Sequence, residues 1–114
     1  MPDPGVGDIA ATIWRDAGQD PAHLSRLDIR DSGPVLPSPF RVDAAAGASI
    51  GLAGLAAASL HEARGGGMQD VSVDVRHAAA SFQSEQHVYV NGGPAPNKWK
   101  SVSGYYQAKD GNWL

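Results

Sequence analysis

Between Asp43 and Glu62 the chain carries no charged side chain, and Gly47, Gly51, Gly54 and Ala58 recur there at helical spacing. At about 100° per residue these four fall within about 60° of one another, while Ile50, Leu52, Leu55 and Leu60 spread over the remaining faces. Residues 43–64 therefore read as one buried helix, with Asp43 as its N-cap and Gly65-Gly66-Gly67 as its stop. A helix that is apolar all round must be covered all round. Each interior glycine costs roughly 0.5–1 kcal/mol relative to alanine, so the small-residue stripe predicts a very close approach by another backbone.

A chain of 114 residues suits one small domain. Such a domain buries on the order of 60–70% of the surface its unfolded chain exposes. Much of the 42% hydrophobic content is alanine, and three Trp, three Tyr and two Phe leave little bulk to fill a core. The composition thus predicts dependence on a partner surface. A formal charge of -3 and a pI near 5.7 argue against a nucleic-acid partner, which calls for a basic face. The absence of cysteine excludes disulfides, a thiolate nucleophile and Cys-ligated metal. Met1-Pro2-Asp3-Pro4-Gly5 has neither the positive segment nor the apolar run of a signal peptide. The 17-residue apolar stretch 44–60 falls short of the roughly 20 strongly apolar residues that span a bilayer, so a cytoplasmic, soluble chain with no membrane partner is expected.

Along the chain, Ile9, Ala10, Ile13, Trp14 and Ala17 predict a short amphipathic helix over 8–17 stopped by Gly18, and Asp20-Pro21 opens a second short helix through about Leu27. Residues 28–39, with Pro34, Pro37 and Pro39, predict an extended loop. Met68 to Val75, where valines alternate with polar residues, predicts a strand, 76–87 a helix and 88–90 a strand, with Asn91-Gly92-Gly93-Pro94 as a turn or loop. The alternation of helices and strands predicts an α/β arrangement. At the C-terminus, residues 104–108 predict a strand, Lys109-Asp110-Gly111-Asn112 a tight turn, and Trp113-Leu114 a returning arm too short to pair, as if the chain were cut within a domain.

Gly5-Val6-Gly7-Asp8-Ile9-Ala10 matches a dinucleotide fingerprint with Asp28 near the ribose offset, but only Met1 to Pro4 precede it where the mechanism needs a strand. His61-Glu62 begins a zinc-protease motif whose second histidine would fall at Gly65. His23, His61, His77 and His87 have no ligand spacing, so no metal site is expected. Asp74 and His77 at a strand-to-helix junction could be catalytic, although a helix cap is the simpler role for Asp74. Gly65-Gly66-Gly67 ends a helix where a phosphate cradle would open one. Trp99, Tyr105, Tyr106 and Trp113, with Lys98, Lys100 and Lys109, suit hairpin packing better than base stacking.

The run Asp43, small-residue helix, Arg64, Gly67, Gln69, Val71, Val73 and Asp74 resembles a segment of the family III CoA-transferases (CaiB/BaiF type) reading Asp, small-residue helix, Arg-x-x-Gly-x-Gln-x-Val-x-Val-Asp. Residues 76–85 resemble one subgroup, and 104–113 resemble the family's Tyr-Arg-Thr-x-Asp-Gly-Arg-Trp hairpin. Together these cover Pro34 to Leu114. The resemblance implies an α/β fragment of that fold: short N-terminal helices, the buried Ala/Gly helix, strand, helix and an incomplete β-hairpin. It divides the chain into a helical segment 1–33, part of a large α/β domain at 34–90 and the start of a small-domain hairpin at 91–114.

The implied activity is CoA transfer between an acyl-CoA thioester and a free carboxylic acid through an aspartyl intermediate, a carboxylate form of nucleophilic catalysis. Coenzyme A thioester is the implied substrate, with no covalently bound cofactor. The family's catalytic aspartate lies upstream of the small-residue helix, and no matching segment occurs between Met1 and Pro39. The resemblance therefore assigns no catalytic residue, leaves Asp43 as a cap, and points to a catalytically incomplete chain. Asn91-Gly92-Gly93 falls in the interval of the family's glycine-rich loop. Because the family forms dimers, a homo-oligomer or association with another transferase chain is implied. The alternative is a non-catalytic interaction or oligomerisation module; a third is an unrelated enzyme using Asp74 and His77.

Overall fold

The computed structural model describes residues 4–31, 33–95 and 102–113, which combine helices with two small sheets in a mixed α/β arrangement. The chain divides into two compact units, Met1–Ser84 and Glu85–Leu114, so the expected boundary at residue 33 lies inside one unit.

In the first unit, helix α1 (Val6–Asp16) buries Val6, Ala10 and Trp14 at i, i+4 and i+8, whereas Ile13 and Ala17, which the periodicity also placed on the apolar face, are exposed. The Trp14 indole donates to the Asp20 carbonyl at 2.8 Å. Asp20 then caps the next turn through the Ala22 amide with Pro21 at its first position, and a 3-10 helix follows over Pro21–Arg26. Strand β1 (Leu27–Arg30) comes next, where a loop was expected. Leu27 and Ile29 point inward and Asp28 and Arg30 outward, so the prolines disrupt regular structure only beyond Arg30.

Helix α2 (Val42–Ala63) is the centre of the unit. It begins one residue earlier than expected, with Arg41 at the N-cap, so Asp43 lies in the first turn and is not the cap. At the other end Gly65, at a φ of 88°, turns the chain, its amide donating to the Glu62 carbonyl at 2.9 Å and that of Gly66 to His61 at 3.0 Å. Strand β2 (Val71–Asp74) runs back parallel to β1, pairing Leu27 with Val71 and Arg30 with Asp74, so α2 is the crossover of a β-α-β unit.

The close approach predicted for the glycine stripe is made by valine side chains, not by a backbone. A Cβ built on Gly47 would lie 2.9 Å from Val75 Cγ2 and 3.2 Å from Val6 Cγ1; on Gly51, 3.1 Å from Val73 Cγ1; on Gly54, 2.9 Å from Val71 Cγ1. Strand side chains stand roughly perpendicular to their sheet, so alternate valines of β2 and the residue after it reach the helix surface.

Helix α3 (Val75–Ser81) starts at the end of β2 and is capped by Asp74 as expected. It stops six residues short of the predicted end, and a 3-10 turn spans Ser84–His87. Residues 83–87 are polar throughout, so continuing the helix would bury no apolar face to offset its ordering cost.

In the second unit, strands β3 (Tyr89–Val90) and β4 (Gly93–Pro94) form an antiparallel hairpin. Asn91 and Gly92 take φ of 52° and 80°, the left-handed pair of a type I′ turn. The expected C-terminal strands reduce, among the described residues, to one bridge between Gln107 and Trp113 around a turn in which the Ala108 amide donates to the Asn112 carbonyl at 2.7 Å. Leu114, Trp99, Lys98 and Lys100 lie outside the described residues.

Replacing Gly47 by leucine forces side-chain volume into Val75 and Val6, and Gly47→Leu is expected to lower unfolding free energy by roughly 1–3 kcal/mol in urea melts. Gly7→Ala, whose new Cβ meets no atom within 4 Å, should raise stability by up to about 1 kcal/mol.

Candidate functional site

Parallel α/β sheets bind ligands beyond the carboxyl ends of their strands. Here Arg30 ends β1, Asp74 ends β2, and the segment 31–41 crosses to the start of α2. A cavity of about 150 Å³ opens at this edge, with Asp31, Phe40, Arg41, Asp43 and Val75 in its lining.

The charged groups around it are engaged by backbone. Asp43 Oδ2 accepts the Val35 amide at 2.9 Å and its Oδ1 the Ala44 amide at 2.8 Å. The Val35 bond, then the Ala44 bond, holds the Asp43 carboxyl below its ordinary range. Asp31 Oδ1 accepts the Gly33 amide at 2.9 Å, and Arg41 Nη1 donates to the Pro4 carbonyl at 2.7 Å. Asp74 Oδ1 accepts the amides of Arg76 at 2.9 Å and His77 at 3.3 Å, bonds that depress its carboxyl too. Asp43 thus ties segment 31–41 to α2, and Asp74 starts α3.

The other residues singled out in the sequence are placed as structural groups. Gly5 is the N-cap of α1, and its amide donates to Asp8 Oδ2 at 3.0 Å, a helix-capping contact in place of a pyrophosphate turn. Asp28 lies on the outward face of the sheet, accepting from Ser72 Oγ and Arg30 Nε, both at 3.3 Å. Glu62 receives Arg26 through two bonds, Nη1 at 2.7 Å and Nη2 at 3.4 Å, and this partner holds its carboxyl below the usual range. The His61 ring lies over Gly66, where any Cβ would collide with it. Among the described residues no group of three or more His, Asp or Glu could hold a metal. Tyr105 and Trp113 remain exposed, and Tyr106 Oη donates to the Val102 carbonyl at 2.6 Å.

Sequence reasoning missed a second feature, a groove of about 560 Å³ between α1 and α2. Ile13 and Leu60 are among the side chains along it, with Trp14, Leu52, Ala53 and Ala56. At one end Ser59 Oγ lies 3.1 Å from His23 Nδ1 and also donates to the Leu55 carbonyl at 2.9 Å. No local pattern announces this groove or the Arg26–Glu62 pair, since their residues come from segments about 36 positions apart.

A carboxyl depressed in the folded state adds stability that is full above its unfolded pKa and is lost as pH falls through its folded value. Stability carried by Asp43, Glu62 and Asp74 is therefore expected to hold above about pH 4–5 and to decline on further acidification. Asp43→Ala should cost about 1 kcal/mol at pH 7 and flatten the acid limb of a stability-against-pH series from denaturant melts.

No family model, characterised protein or solved structure matches the chain.

Proposed function

We propose that the chain is a scaffold segment related to the family III CoA-transferases and is catalytically incomplete by itself. The observation that carries this reading is the behaviour of the motif run: the small-residue helix, the Val-x-Val-Asp strand and the segment after it fold as one continuous α2-β2-α3 unit on a parallel strand pair. That is the local architecture which the resemblance implies for the large α/β domain, with the fragment of that fold as the finer assignment. Incompleteness is supported by the carboxylates at the strand edge. Covalent CoA transfer needs a carboxylate presented to an acyl carbon. Asp31 and Asp43, which line the cavity, accept backbone amides, and Asp74 caps α3.

In this reading acyl-CoA is the ligand class of the family, the compartment is the cytoplasm, and the chain acts by associating with itself or with a complete transferase chain. The non-catalytic interaction module is the same proposal without the CoA ancestry, and the open α1–α2 groove favours it.

Incubation with several acyl-CoAs and free carboxylic acids, followed by intact-mass analysis and a CoA-exchange assay, should give neither an adduct nor turnover. Steady exchange would overturn the claim of incompleteness. Mixing with a full-length family III transferase should yield a mixed assembly by light scattering; failure to associate either with that chain or with itself overturns the scaffold reading.

A further inference from the structure

We infer that Asn91 is a deamidation site: the Gly92 nitrogen closes on the Asn91 side-chain amide, and the cyclic imide so formed hydrolyses to isoaspartate and aspartate, unlinking β3 from β4. The inference is independent of the CoA-transferase reading.

Asn91-Gly92 is the one Asn-Gly pair in the sequence. A side chain on the following residue shields the attacking nitrogen, and glycine has none. The two residues form the whole loop between β3 and β4, and both are exposed. A Cβ built on Gly92 would meet no atom within 4 Å. Among the described residues, the Asn91 side chain and the Gly92 amide have no hydrogen-bond partner. Electrophile and nucleophile are therefore adjacent, solvated and untethered.

Ring closure swings the Gly92 nitrogen toward Asn91 Cγ, so Asn91 must leave its left-handed conformation at a φ of 52°. The hairpin resists this only weakly. Its strands have two residues each, with Tyr89 68% and Val90 50% exposed, and a hairpin that buries so little opens readily.

The reaction needs only water and solvent base. Base removes the Gly92 amide proton, the nitrogen bonds to Cγ, and the Cγ–Nδ2 bond breaks as ammonia leaves. Water then opens the imide. Addition at Cγ gives aspartate; addition at the main-chain carbonyl breaks its bond to the Gly92 nitrogen, so that the chain runs through Cβ and Cγ as isoaspartate. Either product places a carboxylate in a neutral turn. Isoaspartate also lengthens the main chain by one carbon, and a two-residue loop that sets strand register does not tolerate the addition, so the Val90–Gly93 and Tyr89–Pro94 pairs are lost.

The competing positions are protected. Asn97 precedes Lys98 and Asn112 precedes Trp113, both with side chains that shield the nitrogen. The Asn112 side chain is also tied to Asp110 Oδ2 at 3.1 Å. Asp110-Gly111 has an unshielded nitrogen, but the Asn112 amide, then the Asn112 side chain, holds the Asp110 carboxyl below its ordinary range, and a carboxylate anion resists addition.

The full chain, held in mildly alkaline buffer and sampled over days by intact mass and peptide mapping, should gain the mass of water less that of ammonia at Asn91 while Asn112 stays unchanged. The converted chain should accept methyl groups from S-adenosylmethionine through an isoaspartyl methyltransferase. In amide NMR spectra the shifts should be confined to residues 88–95. Asn91→Gln, whose longer side chain closes a ring far more slowly, should lose both the mass change and the methyl acceptance. Conversion of Asn112 as fast as Asn91, conversion of Asn91 only in urea, or methyl acceptance that survives Asn91→Gln overturns the inference.

Discussion

The fold depends on the interlocking of three glycines with three valines. Gly47, Gly51 and Gly54 leave a shallow channel along α2, and Val75, Val73 and Val71 lie in it. Each glycine sacrifices helix propensity, roughly 0.5–1 kcal/mol, and the contact returns dispersion and burial from a stiff β-branched side chain that loses little rotamer freedom on packing. The spacing of the two elements makes the match. Alternate residues along a strand are roughly 6.5–7 Å apart, while successive turns of a helix are about 5.4 Å apart, so a slightly oblique strand meets one glycine per turn. Leu27 joins the contact at Gly51 from the neighbouring strand, which ties β1 to the same helix face.

Polar side chains complete this framework by meeting the hydrogen-bonding needs of the chain where regular structure stops. Asp20, Asp43 and Asp74 each accept backbone amides at or near a helix start, a position where the helix dipole favours negative charge. Arg26 and Glu62 join the 3-10 segment to the last turn of α2, and the outward face of the sheet carries Asp28, Arg30 and Ser72. Counted over all its 22 residues, α2 is long and apolar enough to cross a bilayer, which the 17-residue apolar stretch read from the sequence is not. In this structure that helix is the central support on which α1, α3 and both parallel strands pack.

Much of the framework was legible because it rests on local chemistry. Helical periodicity marked α1 and α2, Asp20-Pro21 marked a helix start, valine alternation marked β2, and Asp74 was readable as a cap. β1 was legible in principle, since Leu27-Asp28-Ile29-Arg30 alternates, but four residues ahead of a proline-rich segment give a weak signal beside the turn chemistry that follows. Asp43 was misplaced by two positions because helix ends depend on which backbone groups find partners. Its partner, the Val35 amide, arrives from a loop whose path the sequence does not show.

The sequence by itself determined that one long uncharged helix must be the centre of this chain and that its glycine face must meet something very close, because unpaired small-residue stripes are costly. Only the tertiary structure decided what fills that face, which carboxylates serve as backbone acceptors at the strand edge, and that the opposite face of the same helix lies open beside α1. These outcomes depend on contacts between segments distant in the chain, and periodicity reports only that a face exists, not which neighbour reaches it.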